Sequence, residues 1–129
     1  MDKQISIIDD AIAIIGVGCK LPGDTSDIER LWDIVSNKID AITDIENNRF
    51  PNIDKLVNKN RANGKIVTKR GGFIKDIEYF DANFFQISPK EADKLDPQQR
   101  FLLETSFNAV EDAGIPLEKL YGSKTGVFI

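Results

Sequence analysis

An α/β fold is what the sequence predicts, and three observations predict it. Residues 11–19, AIAIIGVGC, form a nearly continuous apolar run, the pattern of a strand covered on both faces. Helix-start signals recur at Ser26, Ser88 and Asp96. Thr125-Gly126-Val127-Phe128-Ile129 ends the sequence as the beginning of another buried strand, with no neighbour following it.

Taken in chain order, the first strand is expected near 12–17, with Leu21-Pro22-Gly23 breaking it. Ser26-Asp27-Ile28-Glu29 has capping-box spacing, so a hydroxyl cap at Ser26 is expected. Ile28, Leu31, Trp32 and Val35 then fall on one face of a short helix. Residues 46–70 are polar and asparagine-rich without sustained period, which marks a loop or excursion. Ile66 to Ile74, around Gly71-Gly72, suits a short strand or hairpin arm. Ser88-Pro89 starts another helix with proline where its missing N–H costs nothing. Asp96-Pro97 repeats the device and opens a helix expected over 97–113. Leu103, Phe107 and Val110 form its stripe, with Leu102, Ser106, Ala109 and Ala113 beside it. Gly114 suits a left-handed C′ position, and Pro116 prevents continuation.

The chain has 129 residues, the length of one domain, and its 41% hydrophobic and 29% charged content is that of a globular protein. A net charge of −4 argues against nucleic-acid binding. MDKQISIIDD lacks the pattern of a secretion leader, and no apolar run is long enough to span a bilayer. A cytoplasmic protein is therefore expected, without a membrane partner. The single cysteine, Cys19, rules out an internal disulfide, and the absence of histidine removes the commonest base and metal ligand.

Candidate chemistry is thin. Gly16 and Gly18 begin a dinucleotide fingerprint, but Leu21 stands where its third glycine belongs. Gly18 and Gly23 copy the outer glycines of a P-loop, yet Asp24 replaces the phosphate-binding lysine. Cys19, at the end of an apolar strand with no histidine to activate it, reads as a buried structural thiol. Glu91, Asp93, Asp96, Glu104, Glu111 and Asp112 are explained as caps and surface charges, with Arg100 placed to pair with Asp96 or Glu104. Lys55, Lys59, Arg61, Lys65, Lys69, Arg70 and Lys75 make a basic stretch, read as a solvated loop or a docking patch for an acidic partner.

Several segments together resemble the N-terminal part of a β-ketoacyl synthase domain of the modular type I polyketide synthase class. They are IAIIGVGCKLPG at 12–23, LWDIVSNKIDAI at 31–42, the long GGFIKDIEYF…VEDAGI block at 71–115 with its D-P-Q-Q-R-x-x-L-E core, and TGVFI at 125–129. The resemblance divides the chain into a tail, 1–10, and a truncated synthase region, 11–129. It implies a partial thiolase-like fold: two similar halves, each with a five-stranded sheet, form an α-β-α-β-α sandwich, and only the opening of the first half is present here.

The family elongates acyl chains by decarboxylative condensation, using a cysteine and two histidines. The resemblance places all three beyond Ile129, and Cys19 matches a non-catalytic cysteine. No catalytic, cofactor-binding or metal-ligating residue is therefore assigned, and no cofactor is expected. The first expectation is an inactive fragment, not an enzyme as a 129-residue chain, though from a family of 3-oxoacyl synthases. The alternatives are the opening piece of a working condensing enzyme and a non-catalytic module that binds an acyl carrier protein or a full-length synthase. The isolated chain is expected to be marginally stable, aggregation-prone or molten, because strands built for burial meet water.

Overall fold

The computed structural model describes residues 11–46, 49–60 and 62–129; the expected tail 1–10 and Arg61 of the basic stretch lie outside the described residues. Helix α1 spans Ile28–Ser36, strand β1 Thr43–Asp44, strand β2 Arg70–Gly71, helix α2 Pro89–Ala92 and helix α3 Pro97–Asp112. Two single 3₁₀ turns, Ile53–Lys55 and Leu117–Lys119, complete the order.

Helix α3 follows its sequence signals closely. The Asp96 carboxylate accepts the Gln98 N–H at 2.8 Å, and Pro97 occupies the first turn. At the far end Gly114 has φ +62°. The Ile115 N–H reaches the Val110 carbonyl and the Gly114 N–H the Glu111 carbonyl, the paired bonds of a Schellman stop. Helix α2 starts as expected, with Ser88 Oγ accepting the Glu91 N–H.

The cap of α1 is a correction. Asp27, not Ser26, is the N-cap, and its carboxylate accepts the Arg30 N–H at 2.7 Å, while the Ser26 hydroxyl bonds that same carboxylate. An ionised acceptor is the stronger partner for an orphan helix N–H, so the cap moves one residue along. Leu31 and Ile34 are half-buried, but Ile28, Trp32 and Val35 remain exposed, Trp32 at 71%. The expected apolar face therefore forms but is largely uncovered.

The arm expected between 66 and 74 is realised as β2, which pairs antiparallel with β1, Thr43 opposite Gly71 and Asp44 opposite Arg70. Described residues of the segment between these strands carry structure that its composition did not suggest. Val57 bridges Ile66 in parallel, the Asn58 N–H reaches the Ile66 carbonyl at 2.8 Å, and Ile53 is 5% exposed.

The two strands expected at 12–17 and 125–129 are the main departure. Among the described residues neither joins a ladder, and residues 11–20 and 124–129 make no backbone–backbone hydrogen bond. Ile12 is 95% and Phe128 96% exposed. An apolar strand becomes a strand only beside partners, and no described segment offers one. What does hold the opening segment is α3. A Cβ on Gly16 would collide with the Ala109 carbonyl and lie 2.8 Å from Ala113 Cβ, and one on Gly18 would meet the Thr105 carbonyl. The opening segment thus packs on the small-residue stripe Thr105, Ala109 and Ala113, while of the expected stripe Phe107 and Val110 are half-buried and Leu103 is exposed.

Candidate functional site

Helix α3 is the spine on which two clefts are built. The first, about 310 Å³, lies between α3, residues 19–20 and the segment around Asp81–Phe85. Its apolar wall is an aromatic cluster. Phe80 stacks on Phe85 with centroids 5.3 Å apart, and Phe84 meets Phe85 and Phe107 edge-on at 4.9 and 4.7 Å. Cys19 lines this cleft and is half-buried, where a buried structural thiol was expected. Beside it the Lys20 ammonium sits 3.7 Å from the Glu104 carboxylate and 4.6 Å from the Phe101 ring centre. A thiol becomes a nucleophile when a base or an unshared cation stabilises its thiolate. Here the neighbouring cation is engaged by Glu104, and the sequence holds no histidine.

The second cleft, about 390 Å³, runs between Val17-Gly18, the start of α1 (Ser26 to Glu29) and the last turns of α3 at Asn108, Glu111 and Asp112. The Asp112 carboxylate accepts the Val17 N–H at 2.9 Å across a separation of 95 residues. This tie was not legible from spacing, where Asp112 read as a surface charge. The other carboxylates are dispersed: Asp96 caps α3, Glu91 sits in the first turn of α2, Asp93 ends it, and Glu104 pairs with Lys20. Arg100 pairs with neither Asp96 nor Glu104 and instead donates to the Glu78 carbonyl at 3.2 Å, tying α3 to the preceding loop. Among the described residues no three acidic or cysteine side chains gather as a metal site.

Three cations of the basic stretch meet the chain's own acids. Lys69 Nζ lies 2.9 Å from Asp54 and 3.8 Å from Asp44, Arg70 reaches Asp40 at 3.2 Å, and Lys75 reaches Asp24 at 2.9 Å. Lys65 donates to the Lys55 carbonyl, and Arg49 to that of Ile74. The Asp40 carboxyl is held below its ordinary value, first by the Ile42 N–H and then by Arg70. Lys69 and Lys75 are raised above the ordinary lysine value by hydrogen bonds to Asp54 and Asp24. Lys69, Arg70 and Lys75 therefore act as internal clasps rather than an open docking patch. Their acidic partners are up to 51 residues away in sequence, so no local charge pattern exposes the pairing.

The family model described as "Beta-ketoacyl synthase, N-terminal domain" matches residues 9–129. The chain is 47% identical over 121 residues to polyketide synthase GfsE of Streptomyces halstedii, covering 94% of this chain and 3% of that protein. It is 46% identical to the Cluster 41 polyketide synthase of Aspergillus flavus, covering 92% of this chain and 10% of that one. Among solved structures, the oxazolomycin ketosynthase domain OzmH KS7 of Streptomyces albus superposes with a TM-score of 0.80 at 31% identity, over 88% of this chain and 20% of that domain. The ketosynthase from module 6 of the bacillaene synthase of Bacillus subtilis superposes with a TM-score of 0.74 at 37% identity, over 86% of this chain and 18% of that one. The chain thus spans a tenth or less of these curated relatives and about a fifth of the solved domains.

Proposed function

Given that the chain belongs to the β-ketoacyl synthase family, through its N-terminal domain, we propose that these 129 residues are a scaffold portion of a condensing domain and catalyse nothing by themselves. The reaction proposed for the completed domain is acyl-chain elongation by decarboxylative condensation, with an acyl carrier protein as partner. Its nucleophilic cysteine and its histidines come from the complementary portion, since this sequence has no histidine and its one cysteine lacks an activating group. One observation carries the reading. The chain exposes 11258 Å², whereas a self-contained folded protein of 14.4 kDa exposes about 6800 Å². The excess, about 4,400 Å² on this one chain, is larger than the roughly 1,000–2,500 Å² per partner that an obligate interface buries.

Two experiments test this. Incubated with an acyl thioester, the isolated chain is expected to keep its unmodified mass of 14.4 kDa; an acyl adduct on Cys19 overturns the claim that it is inert. Grafted in place of the corresponding N-terminal part of the bacillaene module 6 ketosynthase, it is expected to leave a domain that still takes an acyl group on that host's own nucleophile. A folded graft that never acylates overturns the scaffold role.

A further inference from the structure

The excursion between β1 and β2 turns at Asn63-Gly64, the one place in the chain where glycine follows asparagine. The Lys65 N–H donates to the Ala62 carbonyl at 3.1 Å, so Asn63 and Gly64 are the corner residues of a turn, and Gly64 has φ +71°. Both residues are exposed. A Cβ built on Gly64 would meet no atom within 4 Å, so nothing crowds this peptide group. Among the described residues neither the Asn63 side-chain amide nor the Gly64 N–H has a hydrogen-bond partner. Other asparagines are anchored: Asn37 donates its side-chain amide to Asp33 at 2.7 Å, and the Asn58 side chain accepts the Asn60 N–H at 2.8 Å.

We propose that Asn63-Gly64 is a site of spontaneous covalent modification, with the main chain as nucleophile and water as the only co-reactant. The Gly64 nitrogen gives its proton to solvent base and bonds to the Asn63 side-chain carbonyl carbon. The bond from that carbon to the side-chain nitrogen breaks, and the nitrogen takes a proton from water and leaves as ammonia. Water then opens the five-membered imide at either carbonyl, which yields aspartate or isoaspartate with no oxidation or reduction. Glycine suits the step because no side chain shields its nitrogen. Isoaspartate carries the main chain through its Cβ, one carbon longer than before. The turn sets the register in which the Ile66 N–H donates to the Leu56 carbonyl at 3.0 Å and the Ile66 carbonyl accepts the Asn58 N–H at 2.8 Å. A lengthened turn loses that register. The Val57–Ile66 bridge then opens, while the β1–β2 pairing, which lies outside it, remains. The site is thus a timer that loosens the excursion as the molecule ages, and it stands apart from the scaffold role.

The test is incubation of the full chain at neutral and mildly alkaline pH, with and without guanidinium chloride, followed by mass spectrometry of its peptides. The peptide holding Asn63 is expected to gain one mass unit, the difference between the water taken up and the ammonia lost. Fragment spectra should place the gain on Asn63, and chromatography should separate isoaspartate from aspartate. The gain is expected to come faster at the higher pH, because hydroxide withdraws the Gly64 proton. It is also expected to be as fast in native buffer as in denaturant, since the turn leaves both reacting groups open. A native rate roughly tenfold slower, a barrier raised by about 1.4 kcal/mol, shows the fold to shield the site and overturns the proposal. Asn63→Gln, whose longer side chain must close a six-membered ring, is expected to lose the gain at this position; an unchanged gain overturns the assignment. Equal gains at Asn37 and Asn58 in native buffer overturn it as well. In aged chain, hydrogen exchange is expected to lose protection at the Ile66 amide and to keep it along α3. No protection at Ile66 in fresh chain, or retained protection once isoaspartate has formed, overturns the timer.

Discussion

Gly16 and Gly18 hold the opening segment so close to α3 that a single methyl group has no room. Gly16→Ala would set a Cβ against the Ala109 carbonyl and Ala113, so the segment and helix must separate. The expected cost is about 1–3 kcal/mol, read as a lower urea midpoint than that of the unaltered chain. Asp112→Ala removes the acceptor of the Val17 N–H and is expected to cost about 1 kcal/mol, while Asp112→Asn, which keeps an acceptor oxygen, costs less. The α1 cap offers a sharper discrimination. Asp27→Ala should lower stability by about 1 kcal/mol, whereas Ser26→Ala, whose hydroxyl touches only the Asp27 carboxylate, should have a smaller effect. Equal losses at the two positions would restore the capping box centred on Ser26.

Between elements, the β1–β2 ribbon and the excursion that separates its strands depend on ionic clasps. Asp40 has a folded pKa below its unfolded one, so its contribution is present above the ordinary carboxylate value and is lost as pH falls through the depressed value. Lys69 and Lys75 have folded values above their unfolded ones. Their contributions are full below the ordinary lysine value and vanish as pH rises through the raised values. The melting temperature is therefore expected to be flat near neutrality and to fall at both extremes. Asp40→Asn should flatten part of the acid limb and Lys69→Gln part of the alkaline one. These groups are at the surface, so the effects are small and shrink with salt; unchanged limbs in both variants would show the clasps to be energetically silent.

The whole molecule is part of a thiolase-like α/β fold, and among the described residues its only sheet is the two-stranded β1–β2 ribbon. Its α1 face and the apolar segments at 12–17 and 127–129 stand in water. Burying one large apolar side chain contributes roughly 1.5–3 kcal/mol, and a typical domain is stable by only about 5–15 kcal/mol. The isolated chain is accordingly expected to unfold over a broad urea range and to self-associate in sedimentation. A sharp cooperative transition at a monomeric mass of 14.4 kDa would contradict this.

Much of the local structure was determined by sequence alone, because helix ends are governed by neighbours in sequence. Asp96-Pro97 and Gly114 bound α3 almost to the residue, and Ser88-Pro89 opens α2, since caps, proline and left-handed glycine act within a turn. The D-P-Q-Q-R block, with the segments at 12–23, 31–42 and 125–129, likewise carried the family resemblance. Tertiary structure decided everything that depends on distant partners. It moved the α1 cap to Asp27, seated Gly16 and Gly18 on Thr105, Ala109 and Ala113 of α3, set Asp112 beneath Val17, and closed Lys69 and Lys75 onto acids far away in sequence. It also left AIAIIGVGC and TGVFI unpaired. Apolar periodicity reports a strand's capacity to be buried, whereas a strand forms only where another backbone meets its N–H and C=O groups.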